Sequence, residues 1–141
     1  MTSINKLTIT TLFAFMTTTI SVSAADLTVN VDDISKHEGN IYVVLFDSAN
    51  AYNGKGKPIK RSRIEVTKNS HSVVFKETEE GTYAIKLFHD ENGNGKLDTN
   101  LVGIPSEGYG FSNNAGAFGP ATFEDASFAV TETSEINIKL R

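Results

Sequence analysis

The chain has 141 residues, 39% of them hydrophobic, no cysteine and a formal net charge of −4 at pH 7. That length suits one domain with enough apolar material for its own core. The acidic balance argues against a nucleic-acid partner, which demands a basic face. The missing thiols exclude disulfides, thiolate metal sites and an acylated-cysteine lipid anchor.

Residues 1–24 read as a signal peptide. Lys6 is the lone charge before Asp26, and Leu7 to Ile20 is an apolar, Thr-rich run. Val22-Ser23-Ala24 then supplies the small residues of a cleavage site. The run is too short and too polar for a transmembrane segment, which needs about 20 mostly apolar residues. The mature domain is expected to span residues 25–141 and to be exported, to the periplasm or the extracellular space.

From Asp26 onward apolar residues recur with period two, the mark of half-buried strands. Leu27, Val29 and Val31 form the first, and Ile41 to Phe46, apolar throughout, forms a central strand covered on both faces. Ile64 with Val66, and Val73 with Phe75, mark two short strands. Tyr83, Ile85 and Leu87 follow the turn residue Gly81. Two more are expected near Ser127 to Thr131 and near Glu135 to Leu140. Seven short strands without a convincing helix predict an all-β fold, a single antiparallel seven-stranded β-sandwich. Between them, Ala51 to Arg63 carries five basic residues with two glycines and a proline. It reads as a solvated loop, or as a docking patch for an anionic partner.

Chemistry concentrates in His89 to Asn100, HDENGNGKLDTN. Asp90, Asn92, Asn94 and Asp98 occupy positions 1, 3, 5 and 9 of a D-x-[DN]-x-[DN]-G calcium loop, with Gly95 at the turn. The Lys96 carbonyl would supply position 7. Position 12 is Leu101 rather than a bidentate Glu, so Glu107 or a water would fill that gap. Two carboxylates and two amides balance a divalent cation and imply weak affinity, roughly 0.1–1 mM. The competing reading is a plain Asn-Gly turn.

Gly103 to Pro120, GIPSEGYGFSNNAGAFGP, is too aromatic for disorder and long for a connection in a compact domain. It is expected to be ordered over the metal loop, with Ser112, Asn113 and Asn114 satisfying backbone groups. Phe111 and Phe118 either plug the open end of the core, or join Tyr109 as flat faces for a sugar or aromatic ligand.

GTYAIKLFHDENGNGKLDTN followed by GIPSEGYGFSNNAGAFGPATFEDASF closely resembles the bacterial secreted family called domain of unknown function 2141. The resemblance spans roughly Leu27 to Leu140. It implies an exported β-sandwich similar to transthyretin-like and carboxypeptidase-regulatory-like modules, and brings no activity. The Asp90-x-Asn92-x-Asn94-Gly95 loop also resembles the calcium repeats of bacterial surface adhesins, where such loops stiffen the module.

No catalytic residues are assigned. A transthyretin-like purine-pathway hydrolase needs a Tyr-Arg-Gly-Ser tail, whereas this chain ends Lys139-Leu140-Arg141. His37, His71 and His89 lie apart in sequence and read as surface or strand-end residues; His89, bordering Asp90, could support the metal loop from behind. The expected role is a non-catalytic, calcium-stabilised structural or interaction module of the cell envelope, its partner an envelope protein or a glycan. The alternative is a carbohydrate-type binding module using Tyr109, Phe111 and Phe118.

Overall fold

The computed structural model describes residues 24–141; the expected signal peptide, Ala24 apart, lies outside them. Eight strands run β1 Ala24–Asp32, β2 Asn40–Phe46, β3 Lys60–Glu65, β4 His71–Glu79, β5 Gly81–Asp90, β6 Tyr109–Phe111, β7 Phe128–Val130 and β8 Ser134–Lys139. One sheet has the order β4-β1-β8. The other has the order β3-β2-β5-β6, with β7 also on β5. The chain passes from β4 in the first sheet to β5 in the second through the single residue Glu80.

The two sheets face each other across one core, a sandwich-like arrangement. Alternation along β1 turns Leu27, Val29 and Val31 inward, where they are fully buried. They meet Ile41, Val43 and Leu45 of β2, Ile85 and Leu87 of β5 and Ile138 of β8. Each such side chain contributes about 1.5–3 kcal/mol by leaving water.

A second apolar cluster lies on the outer face of the larger sheet. Phe46, Ala84 and Phe111 are covered there by Ala51 and Tyr52 of α1 (Ala49–Tyr52) and Ala126 of α2 (Phe123–Ala126). The Ser48 and Thr122 hydroxyls cap these two single-turn helices, each accepting from a backbone N–H three residues on.

Several expectations need correction. Among the described residues there are eight strands rather than seven, because β6 rises from within the Gly-rich segment. The fold is not wholly antiparallel: β8 pairs with β1 in parallel register, Val29 opposite Ile136. Period-two alternation carries no strand direction, so the sequence pattern was blind to this. The basic segment is only half a loop, since Lys60 to Arg63 belong to β3. The two short helices were missed because one turn is too brief to show a 3.6-residue period.

The edge of β5 shows how the Gly-rich segment earns its order. β7 pairs with Gly81–Tyr83 and β6 with Lys86–Phe88. The backbone between them would be left open. Ser112 fills the break: its Oγ accepts from the Ile85 N–H at 2.9 Å and donates to the Ala126 carbonyl at 2.5 Å. Asn113 and Asn114 sit at positive φ (59° and 51°), a region Asn tolerates. Asn113 donates to the Asp125 and Ser127 carbonyls, and Asn114 accepts from the Lys139 N–H. Ser112→Ala leaves a buried N–H and a buried carbonyl unpaired, and is expected to cost about 1–3 kcal/mol. Denaturant unfolding of the variant checks this; an unchanged midpoint would show that the break is closed by something else.

Candidate functional site

The strand β5 delivers Asp90, fully buried, to the base of the candidate loop. Its carboxylate accepts from the Asn94 N–H at 3.0 Å and the Gly95 N–H at 2.8 Å. Above it the Asn92 Oδ1 accepts from the Asn94 N–H, and the Asn94 Oδ1 from the Lys96 N–H. These successive Asx turns wind the backbone, and Gly93 and Gly95 meet the winding at φ 75° and 78°. The Asp98 carboxylate turns in to the same place. Its oxygens take the Asn92 amide at 2.5 Å and the Asn94 amide at 3.0 Å. The heads of Asn92, Asn94 and Asp98 thus converge, joined to Asp90 through Asn94, while Lys96 is exposed on the outside.

Glu107 holds the loop closed from the other side. Its buried carboxylate accepts from the Glu91 N–H at 2.9 Å and the Asp98 N–H at 2.8 Å. Between Asp98 and Glu107 the chain forms a small hairpin: Ser106 donates to the Asp98 carbonyl, Thr99 bridges Pro105, and Asn100 pairs with Ile104. Its tip carries Leu101 fully exposed, so position 12 faces solvent and contributes nothing to the loop.

His89 is not a surface residue. It is buried, with Nε2 2.7 Å from the Glu38 carbonyl and Nδ1 3.9 Å from Glu91. It belongs to a brace formed by the segment Lys36–Gly39. Lys36 pairs with Glu91, whose hydrogen bond and charge raise the Lys36 pKa. Gly39, at φ 74°, lies so close that a Cβ would stand 2.1 Å from the Asp90 carbonyl oxygen. Sequence reading missed this brace, whose one local signal was an isolated glycine before a strand.

Beside the loop lies a cleft of about 810 Å³ on the outer face of the larger sheet. Strand register sets two adjacent rows there: Val44, Lys86 and Phe111 of one and Phe88 and Tyr109 of the next line the cleft, while Arg61, Arg63 and Tyr42 continue the rows beyond it. Tyr42 and Phe88 stack at 5.0 Å. Tyr109 meets Phe111 edge-on at 5.9 Å, with the Arg141 guanidinium over both rings. Leu97, Thr99, Ile104 and Pro105 from the loop and its hairpin form one wall, and Phe118 part of another.

Tyr109, Phe111 and Phe118 therefore all line one cleft. The expectation that both phenylalanines plug the core fails for one of them. Phe111 is buried, whereas Phe118 is fully exposed. Glycine and proline around Phe118 turn the backbone outward, and no strand holds it against the sheet.

Sequence reading also missed Lys86, at the floor of the cleft. Its Nζ donates to the Tyr52 carbonyl at 2.7 Å and lies 3.8 Å from the centre of the Tyr52 ring. Burial holds the Lys86 pKa below its ordinary value. The Tyr52 phenol, donating to the Ala121 carbonyl, is pushed up to about 12 by burial and then by the Asp125 charge.

Among the described residues no group of three or more His, Asp or Glu side chains is placed to hold a metal ion. A calcium site here would rest on two carboxylates supplemented by amide and carbonyl oxygens. No helix among the described residues is long and apolar enough to cross a membrane. A family model described as "Uncharacterized protein conserved in bacteria (DUF2141)" matches residues 29–138. Neither the curated proteins nor the solved structures give a match.

Two outcomes follow from this geometry. Glu107→Gln replaces one acceptor with an N–H donor facing a backbone N–H, at a cost of about 1–3 kcal/mol. Amide hydrogen exchange at Glu91 and Asp98 should accelerate, and unchanged protection would remove Glu107 as the clasp. Tyr52 has a folded pKa above its unfolded value, so its contribution is intact below about pH 10 and fades as pH rises toward 12. Stability should fall less steeply with rising alkaline pH in Tyr52→Phe, and identical profiles would contradict the shift.

Proposed function

The chain belongs to the bacterial family of uncharacterized proteins DUF2141, and from that premise we propose that it is a non-catalytic module of the cell envelope, exported to the periplasm or beyond, whose Asp90–Asp98 loop binds calcium. The observation that carries this reading is the convergence of the Asn92, Asn94 and Asp98 heads above Asp90. Asp90, Asn92, Asn94 and Asp98 would hold the ion through side-chain oxygens, and Lys96 through its carbonyl. The ion would supply the positive charge that two amide groups now offer to Asp98. Glu107, with both oxygens on backbone N–H groups, serves better as the clasp than as a ligand. Each carboxylate or amide oxygen has a second lone pair, so a backbone hydrogen bond does not bar it from a cation.

Calcium would then stiffen the loop and, through Glu107, the hairpin that walls the cleft. A second reading follows from that cleft: a binding module, carbohydrate-type in its simplest form, presenting Tyr109, Phe111 and Phe118. Its size falls within the roughly 300–1,000 Å³ of small-molecule sites.

Thermal melting of the purified protein in calcium and in chelator separates the two. At ~1 mM calcium and a Kd near ~0.1 mM, linkage adds about 1.4 kcal/mol. For a domain of this size that raises Tm by roughly 3–7 °C, and Asp98→Ala should abolish the rise. Superimposable melts in calcium and chelator would end the calcium reading and leave the cleft reading standing.

A further inference from the structure

The cleft floor holds a cation with no counter-charge. The Lys86 ammonium has three donors, and one of them reaches the Tyr52 carbonyl. Among the described residues no carboxylate lies within ion-pair distance of it, and its shifted pKa has burial as its sole cause. Among the described residues that line the cleft, Lys86 is the one cation and none is acidic. Around Lys86 the surface is otherwise apolar: Val44, Phe46, Phe88 and Phe111 beneath, Ile104 and Phe118 at the rim. Ile104 and Phe118 are exposed, as are Leu101 and Val102 just outside. A protein with an acidic net charge thus keeps an uncompensated cation inside an oily cleft.

We propose that this cleft binds a single-chain amphipathic anion, of the long-chain carboxylate type, with its head group at Lys86 and its alkyl chain along the sheet and under the Ile104–Phe118 rim. The inference deepens the binding-module reading and replaces its sugar. A pyranose needs several hydrogen-bonding side chains around its hydroxyls, and the lining offers only Lys86, Thr99 and Tyr109 among the described residues. An alkyl chain needs none. A carboxylate would give Lys86 the partner it lacks, in a setting where a charge-assisted hydrogen bond is stronger than in water. Tyr52, with its ring against the ammonium and its carbonyl accepting from it, fixes the position of the charge.

Isothermal titration of the purified protein with dodecanoate and dodecyltrimethylammonium, each below its micelle concentration, and with dodecanol below its solubility limit, tests this. Dodecanoate should bind, dodecanol more weakly, and the cationic amphiphile not measurably. Lys86→Met keeps the stem and removes the charge, and should weaken dodecanoate roughly 10- to 100-fold while leaving dodecanol unchanged. Phe118→Ala, at a fully exposed position, should weaken both dodecanoate and dodecanol several-fold with Tm unaltered. Equal binding of the anionic and cationic amphiphiles, or dodecanoate affinity indifferent to Lys86→Met, would overturn the proposal. Binding confined to anionic lipid vesicles, with none to free dodecanoate, would overturn it in favour of a membrane surface. A glycan that binds where dodecanoate does not would overturn it while keeping the broader binding-module reading, and a failed calcium response would touch neither outcome.

Discussion

Two buried carboxylates hold the working end of this molecule together. Asp90 and Glu107 each take two backbone N–H groups of the His89–Asn100 stretch or its flanks, Asp90 from within the loop and Glu107 across its neck. A carboxylate in low dielectric is costly unless hydrogen-bonded, and these loop N–H groups would be equally costly unpaired. Each solves the other's problem. The clasp fixes where the hairpin after Asp98 stands, and that hairpin is one wall of the cleft. Loop order and cleft shape are therefore a single constraint, tied to the sheet through β5.

The outer face of the larger sheet is treated differently at its two ends. Near Phe46 and Ala84, α1 and α2 lie over it and complete a second small core. Toward Phe88 and Tyr109 neither short helix reaches the sheet, and the half-buried rings open into the cleft. The boundary runs through Lys86 and Tyr52, where ammonium, ring and carbonyl meet. Lys86 thus belongs to both: it lines the cleft, while its ammonium rests against the Tyr52 ring and carbonyl of the covered part.

The segment between Gly103 and Pro120 illustrates how far pattern reading reaches. Its aromatics argue against disorder, and Ser112, Asn113 and Asn114 do satisfy backbone groups. Those groups, however, belong to Ile85, Ala126, Asp125, Ser127 and Lys139, all distant in sequence. The segment's three-residue strand is too short to show alternation and exists because β5 offers it an edge. His89 is a similar case. Its place beside Asp90 was visible, but its burial comes from the Glu38 carbonyl and from Gly39, both on a segment about fifty residues earlier in the chain.

The all-β class, the inward faces of the main strands and the loop at the end of β5 are legible in residue order alone. Alternation, apolar runs and D-x-N-x-N-G spacing are local and survive without a fold. It takes the folded chain to make β8 parallel to β1, to bring Glu107 over the loop, to face Phe118 to solvent while burying Phe111, and to leave Lys86 with no carboxylate partner among the described residues of an apolar cleft. Each of these depends on which distant backbone or ring a side chain meets. Cross-strand register and sheet-to-sheet packing set that, and no local spacing encodes it.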